Sequence, residues 1–155
     1  MSASPPDPRS ATARGSARPP HLQLRYIGLV GLGGAPGSLA RYLLGQAVPP
    51  TGFPIVTMII NIVGAFTLGL LLSTLAQRGD DSGRRRSLRL LLGTGALGGF
   101  TTYSALALDT VSLAGGADAS NAAIYAFGTL VAGVLAAGIG IRLGAGGRRP
   151  RPVSR

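Results

Sequence analysis

The sequence offers few side chains that could do chemistry, and most of them stand inside long apolar stretches. Away from the ends of those stretches the polar residues are Arg41, Asn61, Asp109 and a set of hydroxyls. Catalytic sets are missing. There is no cysteine and no glutamate, and the single histidine, His21, lies in a Pro- and Arg-rich N-terminal tail. No Ser-His-Asp or Cys-His arrangement can be built from these residues, and no two carboxylates share an apolar stretch. What remains suits holding or passing an ion. Polar groups inside apolar spans are costly to keep, which makes each one a candidate functional residue.

Spacing sharpens the list. Thr57 and Asn61 are four residues apart and share one helix face. The Asn61 amide has two donor hydrogens. They suit either a dehydrated anion or a bond that glues two helices together. Tyr125 and Thr129 repeat the four-residue spacing, either as a hydroxyl ladder or with Tyr125 in an aromatic belt. Arg41 either snorkels to an interface or lines a water-filled vestibule that attracts anions.

The stretch GTGALGGFTTYSALALDT, residues 93–110, is the most unusual. Gly98-Gly99 invites the helix to open. Backbone released in this way persists in a membrane only where it lines a cavity or binds an ion. Free carbonyls suit a hard cation such as Na⁺. The hydroxyls of Thr101, Thr102 and Ser104 and the ring edge of Tyr103 suit an anion. A plain kink filled by neighbouring side chains is the alternative. Asp109 falls near an interface, not where a proton carrier would stand.

The elements that must position these residues follow from hydropathy. The chain has 155 residues, 46% of them hydrophobic, with 25 glycines and only 13% charged residues. Four apolar blocks, at about 24–47, 54–77, 88–113 and 121–143, each approach the ~20 residues of a bilayer crossing. The expected fold is an all-α membrane protein with four transmembrane helices, the third broken at Gly98-Gly99. A disordered basic tail over 1–23 and a basic tail over 144–155 flank the helical domain, 24–143.

Net charge is +10 and all fifteen cations are arginine. Their distribution argues against nucleic acid, because they cluster at the ends of the apolar blocks. Fourteen fall on the two tails and the loop between the second and third blocks; the other two loops carry none, and Arg41 is left over. The positive-inside rule then puts the chain in the cell membrane with both termini cytoplasmic.

Three motifs, in order, resemble those of the Fluc/CrcB fluoride channels. GLGGAPGSLARY resembles their first-helix pattern, FPIVTMIINIVGAFTLG their second and GALGGFTTYSAL their third, and the likeness covers about residues 25–140. The resemblance implies four-helix subunits that pair as an antiparallel dimer with two narrow pores. Such channels export fluoride passively, lower its concentration in the cytoplasm and exclude chloride. By position, Thr57 and Asn61 match pore-lining residues, Tyr125 and Thr129 match the hydroxyl pair of the fourth helix, and Arg41 matches a vestibule arginine. Gly98 and Thr101 match the backbone carbonyls that hold a structural, untransported Na⁺. The paired pore aromatics fall on Tyr103 and Leu106, with Ser104 between them.

Two departures stand out: Leu106 has no ring, and Val56 replaces a usual glycine. The arginine bias also opposes insertion of one sequence both ways. The expected partner is therefore an oppositely oriented homologue. Two rivals remain, a non-conducting partner subunit of a heterodimeric channel and a small four-helix multidrug exporter. The exporter needs an intramembrane carboxylate, for which Asp109 is badly placed.

Overall fold

The computed structural model describes residues 23–49, 52–116 and 119–146. The expectations for His21 and for most of both tails fall outside the described residues. Every regular element within them is helical: α1 (Leu24–Ala47), α2 (Ile55–Gln77), α3 (Gly83–Leu88), a π-helical segment (Arg89–Leu97), α4 (Gly98–Phe100), α5 (Tyr103–Gly115) and α6 (Ala119–Ala145). α3, the π segment, α4 and α5 together make the third of four helical stretches. The fourth runs two residues past its expected end at 143.

α2 and α6 are each long and apolar enough to cross a membrane, with mean hydropathies of 2.4 and 2.0. They form the main helix pair. Small residues let them meet: a Cβ on Gly69 would strike the Ala137 carbonyl, and one on Gly140 would strike the Phe66 carbonyl. Ser73 also donates to the Ile141 carbonyl at 2.9 Å. α1 is long enough, at 24 residues. Its glycines, Gln46 and two arginines dilute its hydropathy. It packs on the π segment and α4. There, a Cβ on Gly33 would strike the Leu91 carbonyl and one on Gly37 would strike that of Ala96.

The third stretch corrects one expectation. Gly98 and Gly99 are helical, and the interruption lies just beyond them. Thr101 (φ −74°, ψ 158°) and Thr102 (φ −149°, ψ 123°) are extended. The glycines serve close approach: a Cβ on Gly99 would come within 2.5 Å of the Gly34 carbonyl. The preceding π segment was not expected either. In it the Gly98 N–H reaches back five residues to the Gly93 carbonyl.

Little of the apolar surface is internal. Tyr26, Ile60, Ala122 and Tyr125 are the buried hydrophobic residues among those described, while Leu32, Val111 and Phe127 are each about 70% exposed (71%, 70% and 69%). In water such a coat would drive aggregation. It suits a chain whose outer surface meets lipid or another subunit.

Candidate functional site at the interrupted helix

When the chain leaves helical geometry after Phe100, it strands backbone groups that a continuous helix would pair. Side chains from α1 and α2 take them up. Asn61, on α2, faces Thr102 across the interruption. Its Nδ2 donates to the Thr102 carbonyl at 2.9 Å, and its Oδ1 accepts the Thr102 N–H at 2.8 Å. This reciprocal pair fixes the amide orientation, since a flipped amide would lose both bonds. One Nδ2 hydrogen remains uncommitted by these bonds. Asn61 is thus helix glue with a donor to spare.

Arg41 has a related task. Its Nε donates to the Gly99 carbonyl at 3.2 Å, and the Ser38 hydroxyl approaches the same oxygen at 3.4 Å. A cation at the C-terminal end of a helical run is electrostatically favourable. Arg41 also lines a cavity of about 660 Å³ with Thr57, Thr102 and Asp109, away from the end where the other described arginines gather. It lines that cavity and caps the broken helix at once.

The second cavity is an open groove of about 420 Å³ on the other side of the interruption. Asn61, Thr101, Thr102, Tyr103, Leu106 and Thr129 all line it. Tyr103 is 83% exposed, and Thr129 is 3% exposed with no hydrogen-bond partner for its Oγ1 among the described residues. A buried hydroxyl left in that state costs about 1–3 kcal/mol. Leu106 puts an aliphatic side chain into this groove. Ser104 does not line this groove; its Oγ lies 3.2 Å from the Thr102 hydroxyl.

Tyr125 is fully buried. Its hydroxyl donates to Asp109 Oδ2 at 3.1 Å and also interacts with the Thr57 hydroxyl. Phe53 meets its ring edge-on, with centroids 5.5 Å apart. The phenol hydrogen is therefore engaged by Asp109. Sequence reasoning placed Asp109 near an interface and missed this bond. Nothing local signals it, because the partners are 16 residues apart on different helices.

Gly98 and Thr101 line a third, smaller groove of about 300 Å³ together with Asn61. Their carbonyls lie at the helix end, where intrahelical donors run out. Neutral carbonyl oxygens are the donor type that hard cations take, so these residues fit Na⁺. Among the described residues no cluster of acidic, histidine or cysteine side chains offers another metal site.

Residues 28–141 match the family described as CrcB-like protein, Camphor Resistance (CrcB). The chain is 48% identical over 134 residues to fluoride-specific ion channel FluC 2 of Leifsonia xyli subsp. xyli, covering 86% of this chain and 92% of that protein. It is 47% identical over 123 residues to a fluoride-specific ion channel FluC of Thermus thermophilus, covering 77% and 93%. A third relative, FluC of Agrobacterium fabrum, is 42% identical over 121 residues, covering 76% and 94%. Matched over most of its length by the family and by these relatives, the chain belongs to the CrcB-like family.

Proposed function

We propose that the protein is a subunit of a fluoride-specific channel that lets fluoride leave the cell and so protects it from fluoride toxicity. The single observation that carries the reading is the groove beside the interruption. There the spare Asn61 donor, the unpartnered Thr129 hydroxyl and the exposed Tyr103 ring line one cavity. All three can meet a small, dehydrated anion. Passive flow suffices. HF crosses the membrane as a neutral acid and dissociates in the cytoplasm. An inside-negative potential then drives the anion out with about 2.3 kcal/mol per charge per 100 mV.

The chain's four helical stretches cross the cell membrane with both termini cytoplasmic, as the arginine bias requires. Two subunits pair antiparallel. The Gly98 and Thr101 carbonyls of each would hold a structural Na⁺, which supplies positive charge between the interrupted helices. Thr57, Tyr125 and Arg41 shape the vestibule side of the path; Asn61, Tyr103, Leu106 and Thr129 shape the groove side, and Ser104 acts there through the Thr102 hydroxyl. The same arginine bias favours an oppositely inserted homologue as partner. The numbered names of FluC 2 from L. xyli and FluC 1 from Cutibacterium acnes fit such pairs. Leu106 favours a second reading for one of the two pores: without a ring at that position, the pore that uses it conducts poorly.

The test is fluoride efflux from liposomes, read with a fluoride electrode beside a chloride control. The protein is assayed alone and then mixed with an oppositely oriented homologue. Fluoride-only efflux from the mixture is expected. Equal chloride efflux, or none from either preparation, overturns the channel. Fast efflux from the chain alone overturns the separate partner.

A further inference from the structure

Seven of the described arginines gather at one end of the bundle. Arg25 opens α1, Arg78 follows α2, Arg84, Arg85, Arg86 and Arg89 stand on α3 and the start of the π segment, and Arg142 lies near the end of α6. Two aspartates, Asp80 and Asp81, share that end. The arginines divide into two groups. Arg85 closes the loop after α2, with Nε on the Asp80 carbonyl at 2.9 Å and Nη1 on the Arg78 carbonyl at 2.7 Å. Arg89 grips Asp81 with two bonds, at 3.0 and 2.8 Å, and Arg86 reaches the Asp81 carbonyl at 2.6 Å. These three are structural.

The second group is uncommitted. The guanidinium groups of Arg78, Arg84 and Arg142 make no hydrogen bond or ion pair among the described residues. Arg25 gives one N–H to the Ser87 hydroxyl at 3.2 Å and lies over the Tyr26 ring, which leaves it further donors. The Asp80 carboxylate is the one acidic group there without an ion pair among the described residues, too little to balance four cations. Exposed apolar side chains adjoin this group. Leu24, beside Arg25, is 84% exposed, and Leu143, beside Arg142, is 62% exposed.

We propose that Arg25, Arg78, Arg84 and Arg142 form a binding surface for anionic phospholipids. The guanidinium forks take the headgroup phosphates in paired hydrogen bonds, a geometry that lysine does not offer. Leu24, Ile27 and Leu143 take the upper acyl chains. A nucleic acid or acidic protein would satisfy the arginines but make no use of the exposed apolar side chains beside them. A phospholipid satisfies both. The surface lies away from the interruption at Thr101–Thr102, so its occupancy can be tested without reference to fluoride.

The experiment uses the full chain purified in a neutral detergent. Phosphatidylglycerol or phosphatidylcholine of matched acyl chains is added, and lipid retention by native mass spectrometry and the melting temperature are read together. Phosphatidylglycerol is expected to stay bound and to raise the melting temperature; phosphatidylcholine does neither. The triple variant R78Q/R84Q/R142Q is expected to lose at least half of both effects. R85Q is expected to melt lower yet keep the phosphatidylglycerol shift. If the triple variant fails to fold, Arg84→Gln alone carries the test through a reduced number of retained lipids. An undiminished phosphatidylglycerol effect in the variant overturns the proposal. So does an equal effect of phosphatidylcholine, or full replacement of the lipid by inorganic phosphate.

Discussion

The interruption at Thr101–Thr102 and the loop between α2 and α3 pose the same problem in different surroundings. Both strand backbone groups between helices, and both are answered by side chains. At the interruption a neutral amide, Asn61, pairs with both the N–H and the C=O of Thr102. In the loop, arginines do the work: Arg85 covers the carbonyls of Arg78 and Asp80, and Arg86 covers that of Asp81. The loop also bends through Gly79 at φ +118°, a conformation that few other residues adopt. Loop groups are exposed, so water can replace any lost partner. The interruption is half-buried among apolar helices, where water reaches a stranded group less readily. The cost of an unpaired group depends on what surrounds it, and the partners differ accordingly.

The largest expected effect follows directly. Asn61→Ala strands both polar groups of the Thr102 backbone at about 1–3 kcal/mol each. The melting temperature should fall sharply, and fluoride efflux should drop to the lipid leak. Arg85→Gln strands two carbonyls that water reaches, and should cost no more than about 0.5–1 kcal/mol. Thermal unfolding of both variants in one detergent checks the contrast. Equal losses would erase the distinction between the two regions.

A second contrast concerns glycines of α1. Gly37 faces the Ala96 carbonyl and the Phe100 N–H, whereas a Cβ on Gly28 would meet nothing within 4 Å. Gly37→Ala forces α1 away from the end of the broken helix and should cost about 1–3 kcal/mol. It should also weaken the Arg41 and Ser38 contacts to Gly99. Gly28→Ala should be neutral, or stabilising by up to about 1 kcal/mol, because alanine is the better helix former. The same unfolding measurement tests both, and a neutral Gly37→Ala would remove close backbone packing as the reason for that glycine.

The glycines also show where sequence reading runs out. Apolar runs and their punctuation marked all four helical stretches, because burial against lipid or neighbours leaves a long local pattern. The position of the interruption was not legible. Glycine permits both an opened helix and a tightly packed one. The choice lay with α1, through Gly34 and through Ser38, which stands 61 residues from Gly99. The partner of Asn61 is 41 residues distant, and that of Tyr125 is 16. Such pairings leave no periodic trace. Nor does the π segment, in which Gly93 packs against α2 and Gly95 against α1.

The smallest expected effect lies in the loop and has a pH signature. The Arg89 hydrogen bond holds the Asp81 carboxyl below its ordinary value; burial opposes it, and the charges of Arg89 and Arg86 add to it. The folded-state pKa is therefore lower than the unfolded one, near ~3.9. The ion pair then stabilises the fold in full above about pH 5, and its contribution fades as pH falls through the lowered folded value. Asp81 is 48% exposed at its side chain, and exposed pairs contribute only about 0.2–1 kcal/mol, less in salt. Asp81→Asn should thus melt slightly lower than the parent at neutral pH. The gap should stay constant down to about pH 5, narrow below about pH 4 and shrink with added salt. A gap that widens on acidification would mean that Asp81 destabilises the loop when charged. The arginines would then be held there by something other than their carboxylate partner.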